Sequence, residues 1–237
     1  FHEMAEEFLK KTKEEADLNQ YWYSRKTIMA LADEAAEAGE TIAFLSTPSI
    51  FFSMKAGRRR WNKENKTGDA LFDYDKQWEN EEGFCFYDFN HPEGIPEDMK
   101  HGFDAVVVDP PFITEDVWRK YATAVHFCLR QGGRIILTTI AENHEFLQEL
   151  FGDMQIAKFM PSIPTLPYQY RIFLNYAAVT PMLGEWNEEI PREFEDMKVE
   201  KRERRSNVGA DSQVCSGGKL TFEEMIEREL AKEAAAQ

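Results

Sequence analysis

Residues 103–112 read FDAVVVDPPF, and this stretch decides the fold class. Three consecutive valines favour a strand that is buried on both faces of a sheet. The strand should end at Asp109, because two prolines follow and proline lacks the N–H group that a strand ladder needs. The stretch therefore predicts a central strand that presents an acid, a stiff backbone and the aromatic ring of Phe112 at its carboxyl end.

Strand and helix patterns alternate on both sides of this central strand. Over residues 41–150, short apolar segments are followed by segments with helical periodicity, which indicates an α/β fold with a mostly parallel sheet. Segments 155–164 and 169–178 have no helix between them. They predict an antiparallel hairpin at the edge of the sheet.

Composition bounds the domain organisation and the compartment. The 237 residues, 43% of them hydrophobic, suffice for one sizeable domain. We expect an N-terminal helical extension over residues 1–20, the main domain over 21–179, and a charged, partly disordered tail with a terminal helix over 180–237. Three scattered cysteines, no signal segment and no membrane-spanning stretch predict a cytoplasmic protein, expected to be a monomer without a membrane partner.

The net charge of −15 favours a basic protein partner over nucleic acid. The main local exception is the loop at residues 57–66, which contains Arg58, Arg59 and Arg60. We expect a solvated insertion there, with contact to RNA or to an acidic partner as the alternative. The five histidines show no ligand spacing, so no metal site is predicted.

Acids follow three of the predicted strands: Asp73 and Asp75 the second, Asp88 the third and Asp109 the fourth. The carboxyl ends of parallel strands share one rim of a sheet, so these acids should lie along it. An acid after the second strand suits ribose hydroxyls, and one after the third could meet an adenine amine. The series predicts a cofactor that contains a nucleoside.

The segment after the first strand argues against a dinucleotide phosphate site. It reads FLSTPSIFFSM and has no glycine, whereas a phosphate-binding turn needs the GxGxxG pattern. Ser46 and Thr47 can instead contact an uncharged or zwitterionic ligand through hydroxyl and backbone groups.

The DPPF segment has a chemical interpretation. Asp109 and the carbonyl of Pro110 can accept two hydrogen bonds from an amine, with the Phe112 ring on its other side. This arrangement suits amine methylation, in which orientation contributes more than covalent help. A lysine amine must first lose a proton, since its ordinary pKa is about 10.4. Asp109 is expected to orient the amine more than to act as a strong base. The alternative is that Asp-Pro-Pro only ends the strand.

DPPF after a hydrophobic strand resembles the [DNS]PP[FYW] motif of class I S-adenosylmethionine-dependent amino-methyltransferases. The resemblance continues through LNQYWYSRKT, IAFLSTPSIFFSMK, LFDYDKQW, FCFYDFNHPEGIPE and RIFLNYA. Over about residues 17–178, the chain is similar to the elongation factor 1-alpha lysine methyltransferase family, once described as adenine-specific DNA methyltransferases. This implies a seven-stranded Rossmann-like class I methyltransferase sheet, mostly parallel with an antiparallel edge hairpin, with helices on both faces and S-adenosylmethionine at the strand rim.

The resemblance also implies roles for individual residues. The residues expected to hold the target amine are Asp109, Pro110, Pro111 and Phe112. Those expected at the cofactor are Trp22, Tyr23, Ser46, Thr47, Pro48, Ser49, Asp73, Asp75, Asp88 and Phe89. Within this set, Asp73 would bind the ribose, with Asp75 as its rival. Trp22 and Tyr23 would line the entrance or, equally, pack the N-terminal helix on the sheet.

The resemblance implies a protein-lysine N-methyltransferase that acts on elongation factor 1-alpha. One alternative is an adenine-N6 methyltransferase acting on RNA or DNA, with Phe112 stacked on a flipped base. Another is a non-catalytic binding module that has kept the fold as a scaffold.

Overall fold

The structure is a computed structural model that describes residues 2–54, 58–62, 64–65, 67–166 and 170–194. The basic run predicted at residues 198–205 and the predicted terminal helix at 220–236 lie outside the described residues.

The seven-stranded sheet predicted from the sequence is confirmed. Its strands are β1 Ile42–Leu45, β2 Ala70–Asp73, β3 Phe84–Phe86, β4 Phe103–Val108, β5 Leu129–Ile140, β6 Gln155–Ile156 and β7 Tyr170–Leu174. They are ordered β3-β2-β1-β4-β5-β7-β6. The first five strands pair in parallel, and β7 runs antiparallel to both β5 and β6. The predicted antiparallel pair therefore closes one edge, with β6 outermost.

Helices cover both faces of the sheet, and β4 shows why. The helices are α1 His2–Lys11, α2 Arg25–Ala38, α3 Pro48–Ser53, α4 Glu115–Cys128 and α5 His144–Phe151. Alternate residues of a strand point to opposite faces. Ala105 and Val107 pack into the core formed with α1, α2 and α3, whereas Val106 and Val108 pack into the core formed with α4 and α5. None of the helices within the described ranges is long and apolar enough to cross a membrane.

Both flanking segments join the first core. In α1, Phe8 is buried, and its ring lies 5.1 Å from that of Trp22. After β7, Leu183 is buried in the same core, and the side-chain amide of Asn187 donates to the carbonyl of Met160 at 2.9 Å. The packed domain therefore continues beyond the predicted boundary at residue 179: Ile190 is also buried, and the guanidinium of Arg171 donates to the carbonyl of Phe194 at 3.3 Å.

Glu34 anchors the start of this segment. Its side chain is fully buried and accepts hydrogen bonds from the backbone N–H groups of Val179 (2.9 Å) and Thr180 (2.8 Å). We expect Glu34→Ala to lower the free energy of unfolding by about 2–4 kcal/mol, because it leaves these donors without their acceptor. Urea unfolding would measure this. Glu37→Ala, on the exposed side of the same helix, should change stability by less than about 0.5 kcal/mol. Equal losses in both variants would contradict the anchor role.

Candidate active site

The carboxyl ends of β1, β2, β3 and β4 surround a cavity of about 260 Å³. Most of the predicted site residues line it: Trp22, Ser46, Pro48, Asp73, Asp75, Asp88, Phe89, Asp109, Pro110, Pro111 and Phe112. The structure thus brings together the acids that the sequence placed at separate strand ends. Tyr23, Thr47 and Ser49 are not part of this lining.

Two residues of the STPS turn, Thr47 and Ser49, do not line the cavity but shape the backbone behind it. The carbonyl of Thr47 accepts the N–H groups of Ile50 and Phe51, each at 3.1 Å, and so begins α3. The carbonyl of Ser49 accepts the hydroxyl of Ser53 at 2.6 Å. Thr47 and Ser49 are both buried. They set the course of α3 from behind the cavity wall.

Ser46 occupies the position where a glycine-rich loop would turn. Its φ is 55°, in the left-handed region that favours glycine, and its N–H donates to the carbonyl of Phe72 at 2.8 Å. Its hydroxyl is 2.6 Å from the hydroxyl of Tyr121. Hydrogen bonds at the N–H and at the hydroxyl of Ser46 therefore hold this turn in place, although it contains no glycine.

The two acids after β2 differ in burial and in partners. Asp73 is 6% exposed, and its Oδ1 accepts the N–H of Asp75 at 2.9 Å. Burial raises the pKa of Asp73 to about 7. Asp75 is half-buried; it accepts the N–H of Gln77 at 2.9 Å and the side-chain amide of Gln20 at 3.3 Å. Asp73 is therefore the more buried carboxylate at the cavity wall.

Asp109 is half-buried and borders the cavity. Its Oδ2 accepts a hydrogen bond from the hydroxyl of Tyr23, and its N–H donates to the carbonyl of Leu45 at 3.2 Å. Burial raises the pKa of Asp109 to about 7, while hydrogen bonds from Tyr23 and Thr138 oppose the rise. Tyr23 is buried behind Asp109 and is not part of the cavity lining.

Aromatic rings form the wall beside Asp109. The rings of Phe89 and Phe112 meet edge to face with centroids 6.2 Å apart. Asp88 borders the same wall, and its Oδ1 accepts the N–H of Asn90 at 2.9 Å. On the other side, Trp22 borders the cavity and also donates its indole N–H to the carbonyl of Thr12 at 3.2 Å. Trp22 therefore both lines the cavity and packs against the N-terminal segment.

The sequence analysis missed several lining residues, chiefly those of the segment before Trp22. Asn19 has a φ of 52°, and its side-chain amide donates to the carbonyl of Pro111. The side-chain amide of Gln20, another lining residue, donates to Oδ2 of Asp75 at 3.3 Å. The sequence does contain a signal for this turn: Asn19 and Gln20 lie between two predicted helices and directly before a run of aromatic residues. Asparagine often adopts the left-handed conformation in turns.

The polar groups of the cavity fit S-adenosylmethionine, the cofactor predicted from the sequence. The hydroxyl of Tyr87 and Oε1 of Gln20 are buried and have no hydrogen-bond partner within the described part of the chain. Both residues line the cavity together with the buried carboxylate of Asp73. Buried polar atoms are normally paired. These groups therefore suit a ligand that carries hydroxyls and amines.

The charges in the lining are all of one sign. They are the carboxyl groups of Asp17, Asp73, Asp75, Asp88 and Asp109, and none of the described lining residues is a lysine, arginine or histidine. A cavity of this kind attracts cations and repels phosphate groups. Its occupants should therefore carry positive charge.

Comparison with known proteins gives matches over most of the chain. Residues 14–178 match the family described as Probable N6-adenine methyltransferase. A human protein named EEF1A lysine methyltransferase 1 is 36% identical over 170 residues, covering 69% of this chain and 76% of that protein. Protein-lysine N-methyltransferase EFM5 of Saccharomyces cerevisiae is 28% identical over 202 residues, 74% and 81% of the two chains. Among solved structures, the branched-chain polyamine synthase of Thermus thermophilus has a TM-score of 0.49 at 14% identity, covering 72% of this chain and 62% of that one.

Proposed function

This chain belongs to the family described as Probable N6-adenine methyltransferase, and we propose that it methylates the side-chain amine of a lysine in a protein. The family depends on S-adenosylmethionine, which agrees with the cofactor predicted from the sequence. Two relatives carry protein-lysine or EEF1A lysine methyltransferase names, and we propose elongation factor 1-alpha as the substrate. A cytoplasmic location and a monomeric state stay predictions.

The charge of the cavity is the observation that carries this proposal. Its lining holds five aspartates and, among the residues described there, no cation. A lysine side chain and the sulfonium of S-adenosylmethionine are both cations, so both gain from such surroundings. A nucleic acid brings phosphate groups, which would be repelled.

The residues of the cavity divide into two groups. S-adenosylmethionine, when bound, supplies a methyl group on a positively charged sulfur. Asp73 would hold the ribose hydroxyls, and Asp88 and Phe89 would hold the adenine. Ser46 and Pro48 would lie beside the methionine part. Asp109 and the carbonyl of Pro110 would accept hydrogen bonds from the lysine amine.

Asp109 has two tasks in this proposal. Its two oxygens and the rigid prolines orient the lone pair of the neutral amine. Its negative charge also stabilises the positive charge that the amine nitrogen acquires. The lysine ammonium must lose its proton to water before Asp109 accepts hydrogen bonds from the neutral amine.

The alternative substrate, an adenine amine in RNA or DNA, rests mainly on the basic loop. Arg58 is paired with the buried Asp69 (Nε to Oδ2, 2.6 Å) and also donates to the carbonyls of Gly39 (3.1 Å) and Glu40 (3.0 Å). Those carbonyls precede β1, so this arginine lies at the amino end of the strands, opposite the cavity. Arg60 stacks on the ring of Phe51 at 3.8 Å. Two of the three arginines thus have structural roles away from the site.

The test is methyl transfer from labelled S-adenosylmethionine to purified elongation factor 1-alpha and, separately, to total RNA and DNA. We expect label on the protein, at one lysine, with only a modest decrease between about 50 mM and about 200 mM salt. Transfer to nucleic acid that falls steeply over the same range would instead favour the adenine substrate. Failure to bind S-adenosylmethionine in calorimetry would favour the non-catalytic module.

A further inference from the structure

A buried chain of hydroxyl groups ends on Asp109. The Tyr23 hydroxyl donates to Oδ2 of Asp109 and lies 2.6 Å from Oγ1 of Thr138. Tyr23 and Thr138 are each 3% exposed. A phenol has one proton to donate, so while Asp109 is ionised the single proton of the Thr138 hydroxyl goes either to Tyr23 or directly to Asp109. The hydrogen bonds therefore all point toward the carboxylate.

The backbone on either side holds this chain of hydroxyls in place. Tyr23 directly precedes Ser24, whose N–H donates to the carbonyl of Ser162 at 2.8 Å and whose hydroxyl accepts the N–H of Thr27 at 3.2 Å. Thr138 is in β5 and pairs with Ile172 of β7. Neither Tyr23 nor Thr138 lines the cavity, so neither is placed to touch a substrate.

We propose that Tyr23 and Thr138 are positioning residues for methyl transfer, which hold the Asp109 carboxylate ionised and oriented toward the amine. This inference rests on the proposed function, since it assigns a task to residues behind the amine-binding carboxylate. Without the Tyr23 hydroxyl, Asp109 keeps its position but loses a donor that favours its charged form.

The pH dependence of the reaction separates this role from a packing role. Burial raises the pKa of Asp109 to about 7, against the hydrogen bonds from Tyr23 and Thr138. In Tyr23→Phe one of these opposing bonds is lost, so the pKa of Asp109 should rise further. Only the ionised carboxylate offers the amine a negative charge and acceptors on both oxygens. Activity therefore increases as pH rises through this pKa, and in the variant the increase should move to higher pH.

Other titratable groups lie near these hydroxyls, and their titration must be distinguished from that of Asp109. Tyr121 of α4 and Tyr170 of β7 are the neighbouring phenols, and burial raises the pKa of Tyr121 well above its ordinary value. Asp73, at the end of β2, has a pKa near 7 like that of Asp109. Because Asp73 is proposed to bind the cofactor, the assay is run at saturating S-adenosylmethionine.

The experiment measures kcat and kcat/KM for a lysine acceptor from about pH 6 to about pH 9.5. At pH near 7 we expect Tyr23→Phe to lose about tenfold in kcat, with a deficit that shrinks toward high pH. Thr138→Val should shift the profile in the same direction, and Thr138→Ser should restore it. Tyr176→Phe is the matched control: it removes another buried hydroxyl, beside Glu34 and outside the cavity lining, and should leave the profile unmoved.

A loss in Tyr23→Phe that is equal at every pH, or an unchanged profile, would overturn the inference. The carboxylic acid band of Asp109 in infrared spectra, assigned with Asp109→Asn, gives the same pKa without any acceptor. That band should titrate at higher pH in Tyr23→Phe, and an unshifted band would also overturn the inference. If wild type labels no amine acceptor, the proposed function fails, and the infrared result still decides whether Tyr23 controls Asp109.

Discussion

Replacing Asp109 with Asn is expected to lower kcat for methyl transfer by about 100- to 1,000-fold. The amide has nearly the same shape as the carboxylate, and its oxygen can still accept a hydrogen bond from the hydroxyl of Tyr23. It lacks the negative charge that stabilises the cationic product nitrogen, and its NH₂ group donates where the amine needs an acceptor. The loss should appear mainly in kcat, because the amine gains its positive charge only as methyl transfer proceeds. Filter-binding assays with labelled S-adenosylmethionine would measure it.

Loss of folding cannot account for this effect, because the substitution should stabilise the protein above neutral pH. The folded-state pKa of Asp109, about 7, is raised above its ordinary value of 3.8. The folded state therefore binds more protons between those values, and wild type loses stability as pH rises through about 7. Asp109→Asn does not lose stability in this pH range, because its amide does not titrate. Its melting temperature at pH near 8 should equal or exceed that of wild type.

The control is Asp116→Asn, an exposed acid in the first turn of α4 that pairs with Lys120 at 2.8 Å. It changes the net charge by the same amount and should keep kcat within about twofold, since surface ion pairs contribute little. If Asp109→Asn kept more than a tenth of the wild-type rate, Asp109 would have no charge-dependent role. The DPP segment would then serve mainly to end β4.

The fold was predictable because its signals are local. The three valines of β4 divide between the two cores, so the all-apolar run was sufficient to indicate a strand covered on both faces. The glycine pair in β5 was less informative. Glycine weakens a strand, yet β5 begins at Leu129 and passes through Gly132 and Gly133. Gly132 has a φ of 72°, and a Cβ on Gly133 would lie 2.3 Å from Cδ1 of Leu129.

The site was predictable only where its residues follow strand ends. Asp73 and Asp109 each stand at a position where an apolar strand ends in the sequence. Because the carboxyl ends of parallel strands meet at one rim of the sheet, the two acids are expected to lie on the same rim. The Tyr23–Asp109 hydrogen bond joins residues 86 positions apart, and the Tyr23–Thr138 contact joins residues 115 positions apart. No periodicity or spacing in one sequence encodes such contacts. The polar and charged composition after residue 179 similarly hid the few apolar side chains, such as Leu183, that hold residues 180–194 on the domain.

The second large effect is expected for cofactor binding in Asp73→Asn. A buried carboxylate that accepts two ribose hydroxyls makes charge-assisted hydrogen bonds, each worth about 1.5–3 kcal/mol. The amide keeps one acceptor, which can still receive the N–H of Asp75, and presents a donor where the other acceptor stood. We expect the Kd for S-adenosylmethionine to rise by about 100-fold, equivalent to about 2.8 kcal/mol. Isothermal titration calorimetry would measure it.

Asp73→Asn should also stabilise the cofactor-free protein. A variant that is more stable but binds S-adenosylmethionine more weakly identifies a residue whose charge serves binding and not folding. Burial raises the pKa of Asp73 to about 7 from 3.8, so wild type loses stability as pH rises through that range. Asp73→Asn should therefore unfold with a free energy about 2–4 kcal/mol higher at pH near 8, and with little gain at pH near 4. Asp75→Asn is the matched variant, because Asp75 is half-buried and already accepts from Gln77 and Gln20. If Asp75→Asn weakened cofactor binding more than Asp73→Asn, the ribose would belong to Asp75, and the burial of Asp73 would need a purely structural reason.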